Sequence, residues 1–196
     1  MNFINKMFEE FKTELRDVKK ELGDARAEQQ AVRTETSRLM KELIETKNLQ
    51  QYVEIKGIPE VQNEDLLATT TAISACLKVS VKESDIDVVH RVPTKNKTKS
   101  NIIVKFTSRA ARDKILKEAK KLRLNTSNLR LPGTEPIYIN EHLCPAKKVL
   151  LGCALKAKLD KNWKFTWVAD GKILMRRTDI SRAVHISCMD DLAQVV

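Results

Sequence analysis

The chain of 196 residues has few of the features on which catalytic, metal and membrane sites depend. It has three histidines and four cysteines, and the absence of any C-x₂-C spacing excludes a zinc finger or knuckle. It has no Gly-rich phosphate loop, no G-x-S-x-G motif and no paired-carboxylate cluster. We therefore expect no catalytic residue, no metal site and no cofactor, and thus not an enzyme.

Long apolar runs are also absent. No run of eighteen apolar residues occurs, so the sequence predicts no membrane span. Residues 1–3 lead directly into charged sequence, which is not typical of a signal peptide. We therefore expect an intracellular protein, in the cytoplasm, the nucleus or both.

The positive charge is unevenly distributed along the chain. Residues 1–51 contain ten Lys/Arg and ten Asp/Glu, whereas residues 52–196 contain twenty-six Lys/Arg and sixteen Asp/Glu, which accounts for the formal net charge of +10. A neutral first part and a basic second part predict that the second part binds a polyanion such as nucleic acid. The alternative at this point is a soluble basic protein that binds no nucleic acid.

The first fifty residues carry a continuous heptad repeat that begins at Ile4. Apolar residues alternate in steps of four and three, which is typical of a coiled coil. The predicted oligomerisation residues occupy the a and d positions: Phe8, Phe11, Leu15, Val18, Leu22, Val32, Leu39 and Leu43. The alternative is a single amphipathic helix that packs on its own globular domain.

The residues that flank this apolar stripe predict a parallel assembly. The e positions are mostly basic and the g positions acidic, as in Lys12 and Lys19 against Glu14 and Glu21. Acid meets base in a parallel assembly, whereas like charges would meet in an antiparallel one. Leu at a with Val or Ile at d favours more than two strands, so we expect a parallel homo-oligomer and favour a trimer.

Residues 51–141 predict a domain of the order β-α-β-β-α-β. Strands are expected near 52–56, 86–92, 101–107 and 137–140. Asn63 is predicted to cap the first helix and Ser108 the second, whose outer side, including Arg112, is basic. This order is the split unit found in RNA-recognition domains.

The outward positions of the two central strands lack the aromatic residues on which such domains stack bases. They are Glu54 and Lys56 on one strand and Ile103 and Lys105 on the other. We therefore expect binding to act mainly through phosphate contacts and to be nearly independent of base sequence.

Residues 142–196 predict a small α+β domain. Pro145 suits the first turn of a helix that ends near Leu159. Asp170-Gly171 is a favoured two-residue turn between strands near 165–168 and 173–175. The fold class is thus α+β, with a coiled coil over 1–50, an RRM-like domain over 51–141 and a small domain over 142–196.

Taken in order, these parts resemble the RNA-binding protein of the first reading frame of LINE-type retrotransposons. The segments concerned are VEIKGIPE (53–60) and NIIVKFTSRAARDKILKEAKK (101–121). The segment DGKILMRRTDISRAVHI (170–186) is most similar to the baculovirus FP (few-polyhedra) proteins and their insect relatives. The first resemblance implies a trimeric chaperone of single-stranded RNA or DNA, and the second implies a role in virion envelopment or occlusion.

The LINE-type resemblance also implies which bases contact the nucleic-acid backbone. It implies this role for the loop between the second and third strands, for the end of the second helix, and for the helix after the fourth strand. Lys105 on the third strand and two arginines after the hairpin complete the predicted set. The predicted nucleic-acid-binding residues are Lys95, Lys97, Lys99, Lys105, Lys120, Lys121, Arg123, Lys147, Lys148, Arg176 and Arg177.

Two hypotheses for function follow. The first is an oligomer that coats or chaperones single-stranded nucleic acid through basic surfaces held on a coiled coil. The second is a viral or virus-derived assembly protein that acts through protein partners, including viral or retroelement proteins.

Overall fold

The computed structural model describes residues 2–94 and 100–194. The chain divides into two compact units, Met1–Glu45 and Thr46–Val196. The first unit consists of one long helix, α1 (Asn2–Asn48), whose last three residues belong to the second unit. No helix in the described ranges is both long enough and apolar enough to cross a bilayer.

The second unit contains two antiparallel sheets, which confirms the α+β class. The first sheet is built from β1 (Tyr52–Lys56), β2 (Ile86–Pro93), β3 (Ser100–Phe106) and β4 (Tyr138–Glu141), in the order β2-β3-β1-β4. Helices α2 (Leu66–Cys76) and α3 (Arg109–Lys121) follow β1 and β3, so the element order is β-α-β-β-α-β. The predicted strands are therefore present, with ends that differ by one residue or a few.

The core of this part lies between the first sheet and its two helices. Val53 and Ile55 alternate along β1 and are buried, as the pattern predicted. They pack with residues of β3, α2 and α3 in one apolar cluster, which includes Ile102, Val104, Phe106, Ile73, Ile115 and Leu116. Apolar burial of this kind is the main favourable contribution to folding.

The helix starts show one correct prediction and one error. Ser108 caps α3, because its side chain accepts a hydrogen bond from the Ala111 amide. Asp65, not Asn63, caps α2 by accepting from the Ala68 amide. Asn63 instead has a φ of 56°, the left-handed conformation that asparagine tolerates better than most residues.

The second sheet follows α4 (Pro145–Asp160) and consists of β5 (Phe165–Ala169), β6 (Lys172–Arg176) and β7 (Val184–Ile186), in that order. The short helix α5 (Met189–Gln194) ends the described part. The turn between β5 and β6 has positive φ at both Asp170 and Gly171, as a two-residue hairpin requires. The core of the part formed by α4, α5 and the second sheet contains Leu150, Ala154, Trp163, Ile173, Met175, Ile186 and Leu192.

Three residues predicted to face outward are buried instead: Glu54, which is 6% exposed, Ile103 and Arg112. Arg112 of α3 is only 2% exposed, although the sequence placed it on the basic outer side of the helix. Ile103 of β3 is also 2% exposed, on the sheet face predicted to be open. The prediction failed because it treated each element alone, whereas Glu141 of β4 pairs with Arg112 and Lys148 of the following helix pairs with Glu54.

Candidate nucleic-acid interface

A groove of about 910 Å³ lies within the second unit, between the first sheet with α3 and the module formed by α4 and the second sheet. Its volume is at the upper end of the range for ligand pockets. Basic side chains from both parts line it: Lys56, Lys120, Lys148, Lys158, Lys164 and Arg176. Bases that converge on a concave surface raise its positive potential and attract polyanions.

Apolar side chains lie among these bases. Leu151 and Leu155 come from α4, and Leu155 is 45% exposed. Phe165 and Trp167 come from β5 and are half-buried. The groove therefore combines positive charge with apolar and aromatic surface, the combination that proteins use to bind single-stranded nucleic acids.

The two aromatic residues lie on one side of β5. Phe165 is paired across the hairpin with Arg176, and Trp167 with Leu174. The Arg176 guanidinium carbon lies 4.6 Å from the centre of the Phe165 ring, and the Lys164 Nζ lies 5.3 Å from it. Both distances are within the range of cation–π attraction, which holds these charges beside the ring.

Two acids neutralise part of the charge in the groove: Asp179 pairs with Lys164, and Glu54 pairs with Lys148. Glu54 is buried, and its Oε1 accepts hydrogen bonds from Lys148 Nζ at 3.1 Å and Asn101 Nδ2 at 3.0 Å. Burial raises the pKa of Glu54, but the charges of Lys56 and Lys148 and these hydrogen bonds outweigh it, so the pKa is lowered overall. Glu54 is therefore ionised at neutral pH, and Lys148 has a carboxylate partner.

A second buried acid joins the two parts of the unit. Glu141, at the end of β4, accepts hydrogen bonds from the backbone amides of Asp170 at 3.0 Å and Gly171 at 2.7 Å. Arg112 Nη2 lies 3.0 Å from the same carboxylate. Lys147 Nζ donates to the Gly171 carbonyl at 2.8 Å. We call Arg112, Glu141, Lys147 and the Asp170-Gly171 turn the clamp, because together they connect β4 and α3 to the second sheet.

The structure brings three of the predicted nucleic-acid-binding residues to the groove: Lys120, Lys148 and Arg176. Lys147 belongs to the clamp. The other described members lie outside the groove: Lys105, which pairs with Asp87; Lys121, which pairs with Glu118; and the exposed Arg123 and Arg177. Lys95, Lys97 and Lys99 lie outside the described residues.

Five basic or aromatic residues of the groove were not among the predicted set: Lys56, Lys158, Lys164, Phe165 and Trp167. A signal for three of them was present in the sequence. Phe165 and Trp167 alternate along one side of a predicted strand, and Lys164 directly precedes that strand. Two aromatics with a base nearby are typical of nucleic-acid-binding surfaces. Lys158 could not be placed, because only the packing of α4 shows which of its lysines face the groove.

The predicted oligomerisation residues form a stripe on α1. Phe8, Phe11, Leu15, Val18, Leu22, Val32, Leu39 and Leu43 are between 40% and 61% exposed in the single chain. A long apolar stripe of this kind is unusual on a monomeric protein. Oligomerisation through these residues stays a prediction.

Residues 144–196 match the family model of Baculovirus FP protein domain 2. The resemblance to the baculovirus FP proteins is thereby confirmed for this part of the chain. Comparison with curated proteins gave no match. The resemblance to the LINE-type proteins stays a prediction.

Proposed function

From a C-terminal module that matches the baculovirus FP family, we propose that this chain forms a parallel oligomer that binds single-stranded RNA or DNA. The binding site is the groove between the first sheet and residues 144–196, which we call the FP-type module. The observation that supports this proposal best is the convergence of six bases on the groove, together with two aromatic side chains.

The mechanism of binding is electrostatic in the first place. Lys120 and Lys158 line the groove from α3 and α4, and we propose that they neutralise phosphates and release counterions. Arg176 and Lys164 supply further charge at the opposite wall. No bond is made or broken, so we propose a binding protein that needs no cofactor.

The element order of residues 51–141, β-α-β-β-α-β, is the order found in RNA-recognition domains and also supports the proposal. In RNA-recognition domains the nucleic acid lies on the outer face of the sheet. Here that face carries buried Glu54 and Ile103, which leaves little room for bases. We propose that the binding surface has moved to the groove at the β4 edge, where the FP-type module adds its own bases and aromatics.

The long helix supplies the oligomer in this proposal. Its apolar stripe is exposed in one chain, and its charged flanks favour a parallel arrangement, for which we favour a trimer. Residues 1–51 carry no net charge, so their contribution is to hold several grooves close together. We further propose that the protein acts inside the cell, in the cytoplasm or nucleus.

The test uses the full chain and two variants with the same change in charge. Lys120→Gln with Lys158→Gln removes two bases from the groove, whereas Lys117→Gln with Lys156→Gln removes two exposed bases on the same helices outside it. We expect the groove variant to flatten the log–log dependence of affinity on salt by about 0.7 per lost phosphate contact. We expect the control to keep the slope of the unmodified protein.

The second candidate is a viral or virus-derived assembly protein that acts through protein partners. The match to a baculovirus FP domain favours it directly, because that match concerns a viral protein family. The same binding measurement separates the two candidates. If the purified full chain binds no single strand even at low salt, the assembly function becomes the better proposal.

A further inference from the structure

Two aromatic side chains of β5, Phe165 and Trp167, lie on the same side of the strand, an arrangement that phosphate binding by charge alone does not need. Thr166 and Val168 point to the core side of the second sheet, where they pair with buried Met175 and Ile173. Alternation along the strand therefore directs Phe165 and Trp167 to the other side. All four residues line the groove, so its wall here is the edge of β5, and Phe165 and Trp167 keep part of their surface in contact with solvent.

Phe165 and Trp167 have different surroundings on this face. Arg176 lies over the Phe165 ring at 4.6 Å, so that ring is already occupied by a cation. Trp167 instead faces the aliphatic Leu174 across the hairpin. The indole of Trp167 is thus the aromatic surface available in the groove, and Arg176 lies two residue pairs away along the hairpin.

We propose that Trp167 stacks on an unpaired base, while Arg176, positioned by Phe165, contacts a neighbouring phosphate. This inference rests on the proposed function, since it concerns the same groove. Stacking requires the flat face of a base, which is covered by neighbouring pairs in a duplex. The groove therefore selects single strands over duplexes, and strands with bases over a bare sugar–phosphate backbone.

The first test needs no variant. The unmodified full chain is titrated, at matched salt, with an oligo(dT) strand and with an abasic strand of the same length and charge. We expect oligo(dT) to bind roughly 5- to 100-fold more tightly, the range measured for stacking on one aromatic residue. Equal binding overturns the stacking proposal and leaves the proposed function intact, whereas no binding of either strand overturns both.

Tryptophan fluorescence reports directly on the proposed contact between a base and the Trp167 indole. Trp163 is 9% exposed and lies in the core of the FP-type module, so Trp167 is the indole that a strand in the groove reaches. We expect oligo(dT) to quench the emission and the abasic strand to leave it nearly unchanged. Bound oligo(dT) without quenching overturns the proposal.

Substitutions of Trp167 test whether this residue makes the stacking contact. Trp167→Leu should lose the preference for oligo(dT) while keeping its affinity for the abasic strand, and Trp167→Phe should keep most of the preference. Tyr138→Leu is the matched control, because Tyr138 is an aromatic residue 57% exposed on β4 that does not line the groove. A Trp167→Leu protein that retains the full preference shows that the base stacks elsewhere.

Discussion

Arg112 and Glu141 form an ion pair in which both side chains are almost fully withdrawn from solvent, with 3.0 Å between Arg112 Nη2 and Glu141 Oε2. The same carboxylate accepts hydrogen bonds from the backbone amides of Asp170 and Gly171. A buried charge is stabilised by its counter-charges and hydrogen bonds, which Arg112 has at Nη1 and Nη2 but not at the buried Nε. The clamp therefore holds the first sheet and the FP-type module in one arrangement, on which the width of the groove depends.

Removing the charge of Glu141 should destabilise the second unit strongly. Glu141→Gln leaves the buried Arg112 guanidinium with only the partly exposed Asp113 as its counter-charge, and breaking a buried pair costs up to about 3–5 kcal/mol. The free energy of unfolding, measured by denaturant titration, should fall by that amount. Asp113→Asn is the control, because Asp113 also contacts Arg112, at 2.6 Å, but is 45% exposed. That change should cost less than about 1 kcal/mol, and equal costs for both variants would contradict the assignment.

The second unit should lose stability in mild acid through His142. Burial lowers the pKa of His142, and the nearby charges of Lys148, His90 and Lys56 lower it further, against a smaller opposite effect of Glu54. The folded state thus binds fewer protons than the unfolded state at pH values just below 6.5. Stability should therefore fall as the pH drops below this value, and the loss should level off below the folded-state pKa.

The check on His142 compares free energies of unfolding at pH 7.5 and pH 5. His142→Phe should reduce the difference between the two, because phenylalanine takes up no proton. His185→Gln serves as the control, since His185 is exposed, and should leave the difference unchanged. If His142→Phe keeps the full difference, other groups account for the acid sensitivity.

Cross-linking should show that the long helices run parallel. With Cys188→Ser to remove an exposed thiol, Phe8→Cys should form a disulfide between equivalent residues of neighbouring chains. Thr13→Cys, at an f position directed away from the stripe, should cross-link much less. Mixing Phe8→Cys with Leu43→Cys chains gives the opposite test: disulfides found only between these two different positions would mean antiparallel helices.

Removing the long helix should weaken binding far more than its net charge suggests. Residues 46–196 form a compact unit, so this fragment is expected to fold and to bind short strands about as well as one groove of the full protein does. On long strands the full protein should bind roughly 10²–10⁴-fold more tightly, because each further groove binds at high effective concentration. Affinities on short and long strands at matched salt measure this. A fragment that binds long strands as tightly as the full chain would rule out avidity as the purpose of the helix.

Local patterns predicted the elements of this chain well. The two-residue turn at Asp170-Gly171, the Ser108 cap and the alternation of Val53 and Ile55 each depend on neighbouring residues in the sequence. The prediction of Asn63 as the helix cap was wrong for an equally local reason. Asp65, three residues before Ala68, accepts the hydrogen bond from the Ala68 amide instead.

The candidate site was predicted only in part, because it depends on contacts between distant segments. Arg112 looks like a surface base until β4 brings Glu141 beside it. Glu54 looks like an exposed acid until α4 brings Lys148 within 3.1 Å. Periodicity along one element cannot show such pairs, since their partners are 29 and 94 residues away in the chain.

The position of Glu141 also bears on how this architecture can be inherited. The family match begins at residue 144, three residues after the carboxylate that closes the Asp170-Gly171 turn. A recombination event at the edge of the matched segment would deliver the hairpin without the carboxylate that its turn binds, and would remove one of the two counter-charges of Arg112. An exchange that keeps the clamp intact has to include both sheets, so the two parts of the second unit are expected to be inherited together.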